Sequence, residues 1–197
     1  MEQVRIDYLG HACFRLSWKG QRIILDPYAD NYVPGCPPLQ EEAEFVYCSH
    51  EHKDHCAPEN VTLTEGAVPA FGLTELLTDH DDEGGSKRGK NMIRIFDFGG
   101  VRVAHFGDLG RRLSPAEAEA LQGLDCAMMP VGGFFTIDGA AAAEIAGQIR
   151  PKCIIPMHYR SGEGGYDVLA TLPEALKHFS NELRVVPLNR GESITLE

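Results

Sequence analysis

Ser49-His50-Glu51-His52-Lys53-Asp54-His55 packs three of the chain's eight histidines into six residues, with an aspartate between them. Imidazole and carboxylate at that density suit coordination of a metal ion. Read as an extended segment, the run alternates its side chains, so His50 and His52 share one side with Asp54 in step and could grip one ion. His55 breaks the alternation, and together with Asp54 it could serve a second ion a few ångströms away.

The elements that must hold these groups are strands. Phe45-Val46-Tyr47-Cys48 is a short apolar run that reads as a buried strand, and it puts the histidines at a C-terminal strand end, where α/β sheets gather their ligands. Two further strand ends carry matching chemistry. Phe106-Gly107-Asp108 closes a strand over 101–106, and the glycine lets the chain turn so that the Asp108 carboxylate could face inward and bridge two ions. His158 ends a strand over 153–157 in the same way. Taken singly, Asp108 could equally be a helix or turn cap and His158 a satisfied polar residue. With the 50–55 loop they form a pattern.

The remaining chain supports an α/β reading. Strands are predicted at 4–9, 12–18 and 21–26, the last two joined by a tight turn at Lys19-Gly20, and at 92–98 and 101–106 across Gly99-Gly100. Residues 28–38 are rich in Pro and Gly and predict a loop, and Pro58 opens a short helical piece. Residues 78–91 read as a polar, glycine-rich loop, either disordered surface or an active-site flap. Ser114-Pro115-Ala116-Glu117 is a capping box, with Gly123 closing its helix, and 125–130 is a strand. Asp138 caps a helix with Ala141, Ala142, Ile145 and Ile149 on one stripe, ending before Pro151. A helix at 173–179 and strands at 184–187 and 193–196 follow. Strands first, then strands alternating with helices, suggest two sheets face to face with helices outside.

At 197 residues the chain is expected to form a single domain, 1–197. Eighteen basic against twenty-nine acidic side chains leave a formal charge of −11. No Lys/Arg block is present to track a phosphate backbone, so nucleic acid is not an expected partner. The N-terminal residues lack a secretory pattern, and no apolar run approaches the roughly 18 residues of a membrane span, so a cytoplasmic protein is expected. The six cysteines are dispersed without a C-x-x-C pair and are expected as free thiols, with Cys56 as buried filler ahead of a metal ligand.

The motif His50-x-His52-x-Asp54-His55, followed by His105-Phe106-Gly107-Asp108 and Pro156-Met157-His158-Tyr159, resembles the metallo-β-lactamase superfamily. More narrowly it is similar to the small Zn-dependent hydrolases related to ascorbate-6-phosphate lactonase and N-acyl-phosphatidylethanolamine phospholipase D. Leu9 to Phe14, Leu25-Asp26-Pro27 and Pro130 to Asp138 also resemble that branch, and the match runs from about residue 6 to 160. The resemblance implies a four-layer αβ/βα sandwich and hydrolysis by a metal-bridged hydroxide at a binuclear site.

That family has a third histidine at the first ion, and both His80 and His105 are available. In a regular strand His105 and Asp108 would point apart, and the 80–91 run also resembles the branch's loop, so His80 is preferred, with His105 as a supporting partner of a ligand. The expected ligand sets are His50, His52 and His80 for one ion and Asp54, His55 and His158 for the other, with Asp108 bridging. Asp54 is the candidate to orient the nucleophile and accept a proton. His11, Arg88, Asn91 and Tyr159 are the candidates to touch substrate. Five imidazoles and two carboxylates suit two divalent ions, Zn²⁺ first, with Mn²⁺ or Fe²⁺ compatible. The expected substrate is a small ester, lactone or phosphodiester. The competing reading is a metal-binding protein without turnover, but the ligand sets leave a position open for water, unlike a closed structural site.

Overall fold

A computed structural model describes residues 3–162 and 164–197. In chain order the strands are β1 (Val4–Gly10), β2 (Cys13–Trp18), β3 (Gln21–Leu25), β4 (Glu41–Ala43), β5 (Phe45–Tyr47), β6 (Val61–Leu63), β7 (Gly72–Asp79), β8 (Lys90–Phe98), β9 (Val101–His105), β10 (Cys126–Pro130), β11 (Ile154–Met157) and β12 (Ser193–Leu196). The helices are α1 (Pro115–Ala120), α2 (Gly139–Ile149) and α3 (Leu172–Leu176), and a 3-10 turn spans Pro58–Asn60.

Two five-stranded sheets form, ordered β12-β1-β2-β3-β5 and β11-β10-β9-β8-β7, with β4-β6 as a separate ribbon. They pack face to face. Ile6, Phe14, Leu16, Ile23 and Leu25 of the first sheet share one buried cluster with Ile93, Phe96, Phe98, Val103, Met128 and Ile155 of the second. The interior strand β10, between β11 and β9, is buried at every position and runs parallel to both neighbours, as its unbroken apolar run requires. The outer face of the second sheet is covered by α2, which buries Ala142, Ile145, Ala146 and Ile149 and is capped by Asp138 accepting from the Ala141 amide. A second buried cluster, Cys13, Ile24, Tyr28, Val33, Ala43 and Val61, seals the outer face of the first sheet beneath the 28–39 loop and the β4-β6 ribbon. That fourth layer is thin, built from loop, ribbon and 3-10 turn.

Several expectations need correction. β7 falls partly where a loop was expected, and the loop proper runs from His80 to Gly89. It is not free chain: Asp81 accepts hydrogen bonds from the amides of Glu83, Gly85, Lys87 and Arg88, which closes it on one carboxylate. The expected strand at 184–187 reduces to a bridge of Val185 to Ile154. Cys48 and Cys56 are joined in a disulfide around the histidine loop, because the loop turns back on itself and brings their Cα atoms to 5.2 Å; the other four cysteines are free. That same turn overturns the extended reading of 50–55: the amides of His55 and Cys56 both donate to the His52 carbonyl.

Candidate metal centre

Strand ends from both sheets converge on one edge of the sandwich. His11 follows β1, Asp26 follows β3, His50 lies three residues beyond β5, His80 follows β7, Asp108 comes three residues after β9 and His158 follows β11. Four of these turns need a left-handed residue: His11 (φ 55°), Asp26 (φ 46°), Gly107 (φ 52°) and His158 (φ 54°). Only Gly107 takes that conformation without strain, and strained backbone of this kind collects at functional sites. Gly107 is required for a second reason. A Cβ there would fall 2.8 Å from Ser49 Oγ and closer still to Ser49 Cβ and Asn91 Oδ1.

The turn at 52–56 sorts the loop's side chains into two sets. One potential ligand atom each from His50, His52 and His80 lie within 4.8 Å of one another, so do those of His11, Asp54, His55 and His158, and a third grouping of His50, His55 and Asp108 joins the two. Asp108 stands between the sets. Its Oδ1 is 3.2 Å from His55 Nε2, and its Oδ2 is 3.3 Å from His80 Nε2, 3.3 Å from His158 Nε2 and 3.9 Å from His50 Nε2. His105 is outside both sets, since its Nε2–H donates to the Ala12 carbonyl at 2.9 Å and its Nδ1 accepts from the Gly107 amide.

A buried layer behind the site sets the imidazoles. Asp26 accepts from the Ser49 amide, the Ser49 hydroxyl at 2.6 Å and His55 Nδ1 at 2.7 Å. With its proton on Asp26, the Ser49 hydroxyl can only accept from His50 Nδ1–H at 2.9 Å, so the lone pair of His50 is on Nε2, facing Asp108. Orienting bonds of this kind fix ligand imidazoles in metal sites. Inside the site the polar atoms lack such partners. Among the described residues His50 Nε2, His55 Nε2, His80 Nδ1, Asp108 Oδ1 and both nitrogens of His158 are buried without a hydrogen bond. A buried carboxylate oxygen and this many ring nitrogens left without partners in one place fit a site for a cation.

The electrostatics agree. Burial, reinforced by neighbouring imidazoles, pushes His11 down to about 4 and His50 to about 3, and burial also lowers His80, leaving these rings neutral. Burial alone would raise Asp108, but the imidazoles of His158 and His55 outweigh it and hold the carboxyl well below its usual range. Asp54 is likewise held down, against burial, by His11 and His55. Burial opposes a proton on His55, yet Asp108 and Asp26 on either side push its pKa up, so the proton there occupies the place of a positive charge that a cation would supply.

The four expected substrate contacts divide. Arg88 lines a cavity of about 420 Å³ with Tyr32, His52, Asp54, His80, Asp108, Phe135 and Tyr166, and its guanidinium lies 5.7 Å from the Phe135 ring centre. Asn91 does not face that cavity: its amide donates to Thr78 Oγ1 and the Phe106 carbonyl and accepts from the Asp108 amide, so it braces the turn carrying Asp108. Tyr159 is buried beside a different cavity, and His11 borders that one too while its ring packs on His158. The aromatic hydroxyl at the cluster belongs to Tyr166, 3.5 Å from Asp54 Oδ2. Sequence reading missed Tyr166 and the role of Asp26. An aspartate between a strand and a proline was a signal for the second; the first had none.

This geometry belongs to a known class. Residues 5–158 match the model of the beta-lactamase superfamily domain, and the chain is a member of that family. The UPF0173 metal-dependent hydrolase of Thermoplasma acidophilum is 28% identical over 209 residues, covering 90% of this chain and 91% of the relative. Among solved structures, the Thermotoga maritima protein described as a Zn-dependent hydrolase of the metallo-beta-lactamase superfamily superposes with a TM-score of 0.74 at 28% identity, over 93% of this chain and 97% of that one. The metallo hydrolase Igni18 of Ignicoccus hospitalis shares the fold, with a TM-score of 0.71 at 20% identity over 99% of both chains.

Proposed function

We propose that this metal-dependent hydrolase binds two divalent cations, one through His50, His52 and His80 and one through Asp54, His55 and His158, with Asp108 shared between them. The observation that carries the reading is the Asp108 carboxylate, whose two oxygens lie within 3.2–3.3 Å of imidazole nitrogens from both sets. Bound there, the cations would lower the pKa of water towards about 7 and polarise a carbonyl or phosphoryl oxygen. Imidazole and carboxylate donors without thiolate suit Zn²⁺, and also Mn²⁺ or Fe²⁺.

The chain's own groups divide the remaining work. Asp54, ionised and at the cavity wall, orients the attacking water and takes up its proton. Burial first, then the charge of Asp54, pushes the Tyr166 phenol up, so it stays protonated and can donate to an oxygen that gains charge. Arg88 and Phe135, in contact with each other, line the same cavity and suit a polar tail and an apolar face of a small ester, lactone or phosphodiester.

The test is metal analysis of the purified protein with a panel of lactones, phosphodiesters and thioesters. About two equivalents of metal and turnover on one class are expected, both lost in Asp108→Asn. Two bound equivalents with silence across every panel would instead mark a metal-binding protein without turnover.

A further inference from the structure

His11 is more deeply committed to the site than a substrate contact would be. Its side chain is fully buried, on a backbone held at φ 55°. Its Nε2 approaches Asp54 Oδ2 at 3.4 Å without the alignment of a hydrogen bond, and neither ring nitrogen has a partner among the described residues. The ring lies 4.1 Å from that of His158 and 5.4 Å from that of His55, centre to centre. A buried imidazole with two unanswered nitrogens on a left-handed backbone is costly twice over, and such groups persist where a ligand supplies the missing partner.

We propose that His11 is a further protein ligand of the second cation, alongside Asp54, His55, His158 and the shared Asp108. The proposal rests on the two-cation reading above. Its geometric basis is that a donor atom of His11 and donors of Asp54, His55 and His158 all lie within 4.8 Å of one another. Among the described residues the first position has no such addition, so the two positions differ in donor count. Three imidazoles and one carboxylate match the four ligands of Zn²⁺, whereas five protein donors exceed them and suit a cation that accepts six, such as Mn²⁺ or Fe²⁺. The protein should therefore load unlike metals at its two positions.

The experiment is titration of metal-stripped protein with Co²⁺, followed by calorimetry and visible absorption. His11→Asn is the informative variant, because asparagine tolerates the left-handed backbone that His11 adopts. His158→Ala marks loss of the second position and His52→Ala weakening of the first. In His11→Asn the equivalent that His52→Ala weakens should bind as in the wild type, and the equivalent that His158→Ala removes at least about 30-fold more weakly, with more intense Co²⁺ bands as its coordination number falls. Binding of that latter equivalent within about 3-fold of the wild type and with the same spectrum would overturn the proposal. Wild-type protein that takes up fewer than two equivalents would sink the two-cation reading itself. Independently of any variant, the Co²⁺-loaded wild type should show hyperfine-shifted ring signals from six histidines; five would exclude His11.

Discussion

Gly110→Ala would put a methyl group into the chain segment that presents His80. A Cβ at position 110 falls 2.5 Å from the His80 carbonyl oxygen, and nearer still to the His80 carbonyl carbon and the Asp81 nitrogen. Ordinary contact begins at 3.4 Å, so the 80–81 backbone must retreat by at least about 1 Å. The backbone angle at 110 is outside the left-handed region, so the effect is steric alone. Overpacking of this kind costs about 1–3 kcal/mol, and the Gly110 amide bond to Asp79, 2.9 Å long, adds about 1 kcal/mol if it breaks. A loss of about 2–4 kcal/mol, or roughly 10 °C in Tm for a chain of this size, is expected in urea and thermal unfolding followed by circular dichroism. His80 would move away from Asp108, now 3.3 Å distant, and competition with a chelator should show metal affinity reduced about 10-fold or more. The control is Gly147→Ala on the exposed side of α2, where nothing lies within 4 Å of the added Cβ, and it should stabilise by about 0.5–1 kcal/mol. A Gly110→Ala protein within 0.5 kcal/mol of the wild type and with unchanged metal affinity would refute the claim that close backbone approach positions His80.

Other expectations follow from the layer behind the site and from the surface. Asp26→Asn removes the carboxylate that takes the His55 Nδ1 proton at 2.7 Å, and equilibrium dialysis should find metal affinity about 10–100-fold weaker. Cys48→Ser with Cys56→Ser opens the crosslink around the histidine loop, and loop-closure entropy for this separation predicts a loss of about 2–3 kcal/mol, equally visible on reducing the wild type; identical melting with and without dithiothreitol would count against it. The Arg111 guanidinium holds Glu117 down to about 2, so the pair's contribution is complete above pH about 4.5 and disappears as pH falls towards 2. With both side chains partly solvated it is worth about 1 kcal/mol, and the stability gap between wild type and Glu117→Gln should close over that acid range.

Much of the site was legible because its chemistry is local. His50, His52, Asp54 and His55 stand together in sequence, and Asp108 and His158 end apolar runs whose period and turn residues mark them as strands. The strand β7 escaped notice because Leu73 and Leu77 on it are exposed, so an edge strand carried no core pattern. Tertiary structure alone decided which groups meet. The turn at 52–56 set the directions of the loop's side chains, His80 came to lie beside Asp108 while His105 turned to the Ala12 carbonyl, and Tyr166 rather than Tyr159 reached Asp54 across 112 residues. Side-chain type and spacing declare what a residue can bind; the direction in which it points depends on backbone turns at His11, Asp26 and His158 that only contacts from distant strands can hold in the left-handed region.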